Sequence, residues 1–113
     1  MVNLQKYQNK KIAIYGMGLT GCSAAKTLEK LGAKIFCWDD NRKTRKRIKN
    51  LKFPLNKFWL NKNFVDNIVI SPGIDIGKCK IKSYLKKNSK KIITDLDIFF
   101  DLNKDCQIIS ITG

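Results

Sequence analysis

The sequence contains no histidine, only two prolines, and no two cysteines at the spacing of a metal or dithiol motif. Without histidine, the 113 residues hold neither a Ser-His-Asp or Cys-His catalytic arrangement nor an imidazole-bound metal. Because the four cysteines lie far apart, we expect no zinc ribbon and no dithiol redox centre. We interpret them as small apolar residues in reducing surroundings. They are Cys22, Cys37, Cys79 and Cys106.

Long apolar runs are also lacking. No stretch approaches the ~18 consecutive apolar residues of a membrane span. The N-terminal residues 1–11 have no apolar centre of the kind that signal peptides carry. We therefore expect a cytoplasmic protein without a membrane partner. A length of 113 residues predicts a single domain that is large enough to bury a core.

Acidic residues are scarce: 9 Asp and Glu stand against 23 Lys and Arg, for a net charge of +14. Such a surplus can bind nucleic acid by neutralising phosphates. However, 20 of these cations are Lys and only 3 are Arg, and specific nucleic-acid surfaces prefer Arg. We interpret the densest run, residues 42–49, as a solvated helix face and expect no nucleic-acid partner. The alternative is a basic nucleic-acid-binding module that uses residues 42–52, and its binding would depend steeply on salt.

The first 40 residues contain a strand–helix–strand unit. Residues 11–15 form a short apolar run that ends at a glycine, and residues 34–38 form a second one. Between them, Ala24, Ala25, Leu28 and Leu31 lie on one face of a helix, and Gly32 stands where a helix needs a residue with positive φ. The spacing predicts two parallel strands with a right-handed crossover.

The rest of the chain continues this alternation, which predicts an α/β fold with a doubly wound, mainly parallel sheet in a single domain. We interpret Trp38 and Trp59 as packing residues. Asp95 and Asp97 are interpreted as capping and charging a helix N-terminus. The predicted elements are a helix over 42–51, a short strand within 53–59, a strand over 67–71, a helix over 80–88, a strand over 92–94, a short helix over 95–100 and a strand over 107–112.

Residues 16–21, Gly-Met-Gly-Leu-Thr-Gly, fit the pattern G-x-G-x-x-G between the first strand and the first helix. In this pattern Gly16 permits the tight turn, Gly18 lets the backbone approach a ligand's phosphates, and Gly21 lets helix and strand pack closely. The helix N-terminus adds free N–H groups and partial positive charge for an anion. We interpret Thr20 as the helix N-cap, a role compatible with contact to a ligand.

An acidic residue follows the second strand. Asp39 lies 18 residues after the last glycine of the pattern, where its carboxylate can accept hydrogen bonds from a ribose or a base. Together these features predict a ligand shaped like a nucleotide and leave the nucleotide open. The pattern's default ligand is NAD, with Asp39 on the adenosine ribose. One alternative is therefore the NAD(P)-binding Rossmann domain of a dehydrogenase or a regulatory subunit.

Two later features narrow the choice. Ser71-Pro72-Gly73 follows a strand at its carboxyl end, and residues 108–113 read Ile-Ile-Ser-Ile-Thr-Gly. With the glycine pattern, this order resembles the N-terminal part of the Mur ligases over essentially the whole chain, and within that family the D-glutamate-adding type. The resemblance implies a Rossmann-like domain that binds the UDP part of a UDP-linked muramoyl substrate of peptidoglycan synthesis in place of NAD. The dehydrogenase alternative gives no reason for Ser71-Pro72-Gly73.

The resemblance also assigns site residues. It places Asp39 and Asp40 near the uracil and ribose. Arg42 stands one position later than an arginine of some relatives. The uridine-diphosphate cradle comprises Gly16, Gly18, Leu19, Thr20 and Gly21, and the opposite wall comprises Ser71, Pro72 and Gly73.

The full family enzyme is implied to be an ATP-dependent amide ligase that uses Mg²⁺. Thr112 and Gly113 match only the first two positions of its ATP-binding P-loop. We therefore expect residues 1–106 to be the substrate-binding domain and residues 107–113 to be the first strand of a central ATPase domain. The chain is expected to be a monomeric fragment that is inactive alone and holds no metal, ATP or other cofactor.

Overall fold

The computed structural model of the chain describes residues 4–55, 57–60, 64–71, 74, 77–94 and 97–98. Within these ranges no helix is long and apolar enough to cross a membrane. The strands are β1 (Lys11–Tyr15), β2 (Lys34–Trp38), β3 (Asn67–Ile70) and β4 (Ile92–Ile93), and the helices are α1 (Leu19–Lys30), α2 (Arg42–Ile48) and α3 (Lys82–Lys87).

The four strands form one parallel sheet in the order β2-β1-β3-β4. Parallel neighbours need crossover connections, which α1 supplies between β1 and β2. The chain then crosses β1 to reach β3, so the order reverses between β1 and β3. The sheet confirms the predicted α/β class and the predicted β1 and β2 at residues 11–15 and 34–38.

Both faces of the sheet are covered, as a doubly wound, Rossmann-like fold requires. Along β1, Ile12 and Ile14 belong to one buried cluster, and Ala13 and Tyr15 belong to the other. The first cluster includes the apolar side of α1 and Ile48 of α2. Trp59 and Leu85, from the segments after α2 and within α3, cover the second face. Burial on both faces explains why β1 is almost continuously apolar.

Helix α1 ends as predicted and begins differently. Its C-terminus is followed by Gly32 at φ +92°, whose N–H donates to Glu29 O at 3.0 Å. The assignment of Thr20 as N-cap is wrong, because α1 starts at Leu19 and Gly18 occupies the N-cap position without a side-chain hydrogen bond. The extended backbone of the glycine loop ends at Gly18, so Thr20 lies in the first helical turn.

In the described residues of segment 53–59, the predicted strand is reduced to one parallel bridge between Leu55 and Cys37. Pro54 accepts a hydrogen bond from Cys37 N at 2.9 Å and has no N–H of its own to extend a ladder. A 3₁₀ helix, Phe58–Leu60, follows and turns Trp59 into the second core cluster, where it is fully buried. Trp59 is therefore a packing residue, as expected. Helices α2 and α3 are shorter than predicted.

Near the end of the described chain, Thr94 and Asp97 exchange two hydrogen bonds. Thr94 N donates to Asp97 Oδ2 at 2.9 Å, and Asp97 N donates to Thr94 Oγ1 at 3.1 Å. This reciprocal pattern is a capping box, with the carboxylate in the role that Glu or Gln commonly takes. It agrees with the capping role expected of Asp97. Asp95 and the strand expected over 107–112 lie outside the described residues.

We expect Cys37 to resist alkylation in the folded protein. Burial, followed by the nearby Cys22, raises the pKa of the Cys37 thiol to about 12, and the side chain is 1% exposed. The thiolate is the reactive form, so iodoacetamide at pH 8 should modify the half-buried Cys22 and Cys79 well before Cys37. Peptide mass spectrometry over time measures the three rates.

The matching control is the same reaction in denaturant, where all three thiols should react alike. Equal rates for Cys37 and Cys22 in the folded protein would contradict the prediction.

The raised pKa of Cys37 also makes the stability of the protein depend on pH. The folded state holds the thiol proton of Cys37 more tightly than the unfolded state does. The contribution of this thiol to the free energy of unfolding is therefore complete below about pH 8.5 and declines as the pH rises toward 12.

Candidate functional site

The candidate site lies where three strand ends meet at the carboxyl edge of the sheet. Gly16 follows β1 and Ser71 follows β3, so they flank the point at which the strand order reverses. Gly16 N donates to Trp38 O at 2.8 Å, and Ser71 N donates to Tyr15 O at 3.1 Å. In doubly wound sheets, ligands bind in the crevice at this switch point.

Gly16 brings the glycine loop into contact with the turn after β3. Its φ of +99° favours glycine, and a Cβ there would lie 2.7 Å from the Cβ of Ser71 and 3.2 Å from Cγ1 of Ile74. Ile74 N donates to Ser71 O at 3.0 Å, which closes the turn. Gly16 and Ser71, predicted to belong to opposite walls, are therefore in close contact. Pro72 and Gly73 lie outside the described residues.

The other two glycines of the loop have opposite surroundings. A Cβ on Gly21 would lie 1.9 Å from the carbonyl oxygen of Gly16, so only glycine lets α1 pack this closely on the loop. A Cβ on Gly18 would meet no atom of the described residues within 4 Å. The structure thus confirms the packing role of Gly21 and leaves open space beside Gly18.

The N-terminus of α1 borders that open space. The first hydrogen bond of the helix runs from Cys22 N to Gly18 O at 2.9 Å. The N–H groups of Leu19, Thr20 and Gly21 precede it and point out of the helix end, where they carry partial positive charge. The side chain of Leu19 is 93% exposed, the one large apolar side chain so exposed in the described part of the chain. The arrangement can bind an anion through main-chain donors.

Asp39 connects the glycine loop to the turn after β2. Its Oδ2 accepts a hydrogen bond from Met17 N at 2.7 Å, and its Oδ1 accepts one from Asn41 N at 2.8 Å. The backbone oxygen of Asp39 accepts a third from Nη1 of Arg45 at 2.8 Å. The residue stands beside the loop, as the glycine pattern predicts, but the loop contact itself was not anticipated.

Asp40 is held by two aromatic side chains. The Tyr15 hydroxyl donates to Oδ2, and Trp38 Nε1 donates to Oδ1 at 3.1 Å. Burial, and then the hydrogen bond to Asp40, raise the pKa of the Tyr15 phenol above its usual range, so the phenol remains a proton donor. Sequence reasoning missed Tyr15, because a tyrosine at the end of a buried strand resembles any other core residue.

Arg45, rather than Arg42, is the arginine of α2 that turns toward this edge. Arg42 is exposed at the start of the helix. The Arg45 guanidinium lies 4.6 Å from the ring centroid of Trp38, and the Lys57 ammonium lies 5.0 Å from it. The half-buried Trp38 is therefore a contact for cations as well as a packing residue. Thr112 and Gly113, the expected start of the P-loop, lie outside the described residues.

Comparison with protein families gives a match over residues 10–93 to the family described as "Mur ligase MurD-like, N-terminal domain". Among solved structures, shikimate dehydrogenase from Aquifex aeolicus is similar in fold, with a TM-score of 0.56 and 18% sequence identity. That similarity covers 90% of this chain and 48% of the dehydrogenase chain, and at such low identity it concerns the fold alone.

Curated relatives named UDP-N-acetylmuramoylalanine--D-glutamate ligase match nearly the whole chain. The Wolbachia pipientis wMel protein is 32% identical over 119 residues, which cover 99% of this chain and 23% of the relative. The Buchnera aphidicola protein is 39% identical over 114 residues, and the Clostridioides difficile protein is 33% identical over 114 residues. The Buchnera match covers 95% of this chain and the Clostridioides match covers 94%, and each match covers 25% of the relative. The chain, which spans about a quarter of these relatives' length, thus belongs to the MurD-like Mur ligase family and corresponds to its N-terminal domain.

Proposed function

We propose that this chain binds the uridine diphosphate part of a UDP-linked muramoyl substrate, as the N-terminal domain of a D-glutamate-adding ligase of peptidoglycan synthesis. The observation that carries the proposal is the open space that the described residues leave beside Gly18, at the N-terminus of α1 and at the switch point of the sheet. A diphosphate is the part of such a substrate that main-chain N–H groups and a helix dipole bind best. We take the muramoyl part of the proposed substrate from the name of the relatives.

In the proposed complex the diphosphate lies against the amides of Gly18, Leu19 and Thr20. Gly16 and Gly21 allow the loop to keep its shape, and neither has room for a side chain. The sugar and base extend toward Asp39 and Asp40 at the end of β2. We assign Ser71, and with it Pro72 and Gly73 that follow in the sequence, to the wall opposite the cradle, and Ser71 is packed against Gly16. From diphosphate to base, the proposed ligand thus runs along the carboxyl edge of the sheet from β1 to β2.

We further propose that the chain by itself binds substrate without ligating it. The family reaction would draw on ATP and Mg²⁺ for phosphoryl transfer. This chain matches 23% of the length of the Wolbachia pipientis wMel ligase, so we assign the ligation reaction to the whole protein and not to these residues. We propose that the protein is a monomer. We also propose that it lies in the cytoplasm, where a nucleotide-linked precursor is available to it.

Titration of the isotopically labelled protein with UDP tests the binding proposal. We expect UDP to shift the amide resonances of Gly18 and Ser71, because both border the proposed crevice. NAD should leave them unshifted. The amides of Lys11 and Asp66, at the opposite edge of the sheet, serve as internal controls. Shifts at Gly18 and Ser71 with NAD alone would contradict the proposal and favour the dehydrogenase alternative.

A further inference from the structure

Asp39 is the residue through which the end of β2 holds the glycine loop. We propose that Asp39 is a positioning residue: its carboxylate holds Met17 and thereby keeps the loop in the conformation that binds the diphosphate. On this inference, the contribution of Asp39 to binding passes through the loop and not through contact with the nucleoside. The statement that Asp39 affects diphosphate binding rests on the proposed function. The statement that Asp39 holds the loop does not.

The hydrogen bond from Met17 to Asp39 can fix the loop because of where Met17 lies in it. Met17 lies between Gly16 and Gly18, the two residues of the loop with the greatest backbone freedom. Its side chain is fully buried, and its N–H donates to Asp39 Oδ2 at 2.7 Å. Gly16 N is bound to Trp38 O and Met17 N is bound to Asp39, so two successive peptides of the loop are held up to Met17, the residue that leads into Gly18.

A carboxylate suits this role because it supplies two acceptors. Met17 N occupies Oδ2 and Asn41 N occupies Oδ1, so both oxygens already hold backbone donors in the absence of any ligand. An amide side chain has one acceptor oxygen and an NH₂ group, so it can serve only one of the two. The bond from Arg45 Nη1 to Asp39 O holds the backbone of the same residue.

The substitution Asp39→Asn tests the inference in the whole 113-residue chain. The matched control is Asp66→Asn, because Asp66 Oδ2 also accepts a backbone hydrogen bond, from Lys11 N at 2.9 Å, at the opposite edge of the sheet. Both variants change the charge equally. Amide hydrogen exchange is measured at Met17 and Ile14, and affinities are measured for pyrophosphate, UDP and uridine by resonance shifts.

In Asp39→Asn we expect exchange at Met17 to become about tenfold faster, with Ile14 unaffected. The affinities for pyrophosphate and UDP should fall together, by about tenfold each. Asp66→Asn should change none of these values. A general loss of structure would instead accelerate exchange at Ile14 as well, and would overturn the proposed local role.

Two further results would overturn the inference. One is unchanged exchange at Met17 in Asp39→Asn. The other is a loss of affinity for UDP and uridine while pyrophosphate binding is retained, which would make Asp39 a direct nucleoside contact. If the unsubstituted protein binds neither UDP nor pyrophosphate, the proposed function is wrong, and exchange at Met17 still decides whether Asp39 holds the loop.

Discussion

Replacement of Gly21 by alanine is expected to unfold much of the protein. The added Cβ would lie 1.9 Å from the carbonyl oxygen of Gly16 and 2.9 Å from its carbonyl carbon. Both are backbone atoms, so no side-chain rotation can relieve the overlap, and α1 must move away from β1. Overpacking of this kind costs about 3 kcal/mol or more. That is a large part of the ~5–15 kcal/mol that stabilises a domain.

Urea denaturation followed by circular dichroism measures this effect. Gly18→Ala is the matched control, because it makes the same change in the same loop at a position where no atom of the described part of the chain lies within 4 Å of the new Cβ. Its backbone, at φ −71° and ψ −163°, suits any residue, so we expect a change below about 1 kcal/mol. A denaturation midpoint of Gly21→Ala equal to that of the unsubstituted protein would show that the loop and α1 can separate without cost.

Replacement of Gly18 by valine is expected to abolish binding of UDP while the fold is retained. The same open space that makes the substitution harmless to the protein is the space that we assign to the diphosphate. Two methyl groups there would keep the phosphates away from the amides at the start of α1. We expect the affinity to fall by about a hundredfold or more, which corresponds to ~2.8 kcal/mol.

Ser23→Val is the control for added bulk on the same helix. Ser23 is exposed on α1, three residues beyond the last amide that we assign to the diphosphate, and its replacement should leave the affinity for UDP unchanged. Calorimetric titration measures the affinities, and thermal unfolding verifies that both variants remain folded. UDP binding by Gly18→Val at the original affinity would mean that the ligand lies elsewhere on the molecule.

Local patterns in the sequence were sufficient for the elements that are built from neighbouring residues. The apolar runs at 11–15 and 34–38 became β1 and β2, and the apolar face of α1 and Gly32 at its end were also predicted. These features depend on periodicity and on φ preferences, which act over a few residues. Pro54 shows the limit of such patterns, since the described residues around it form a single bridge.

The sequence by itself determined the class of the fold, the glycine loop and the family, because each depends on short motifs in a fixed order. The tertiary structure alone decided which partners Asp39, Asp40 and Arg45 have. Their hydrogen bonds join segments that are 22, 25 and 6 residues apart. The bonds from Met17 to Asp39 and from Tyr15 to Asp40 arise only when the parallel sheet brings the ends of β1 and β2 together, and no local pattern encodes which donor a carboxylate meets there.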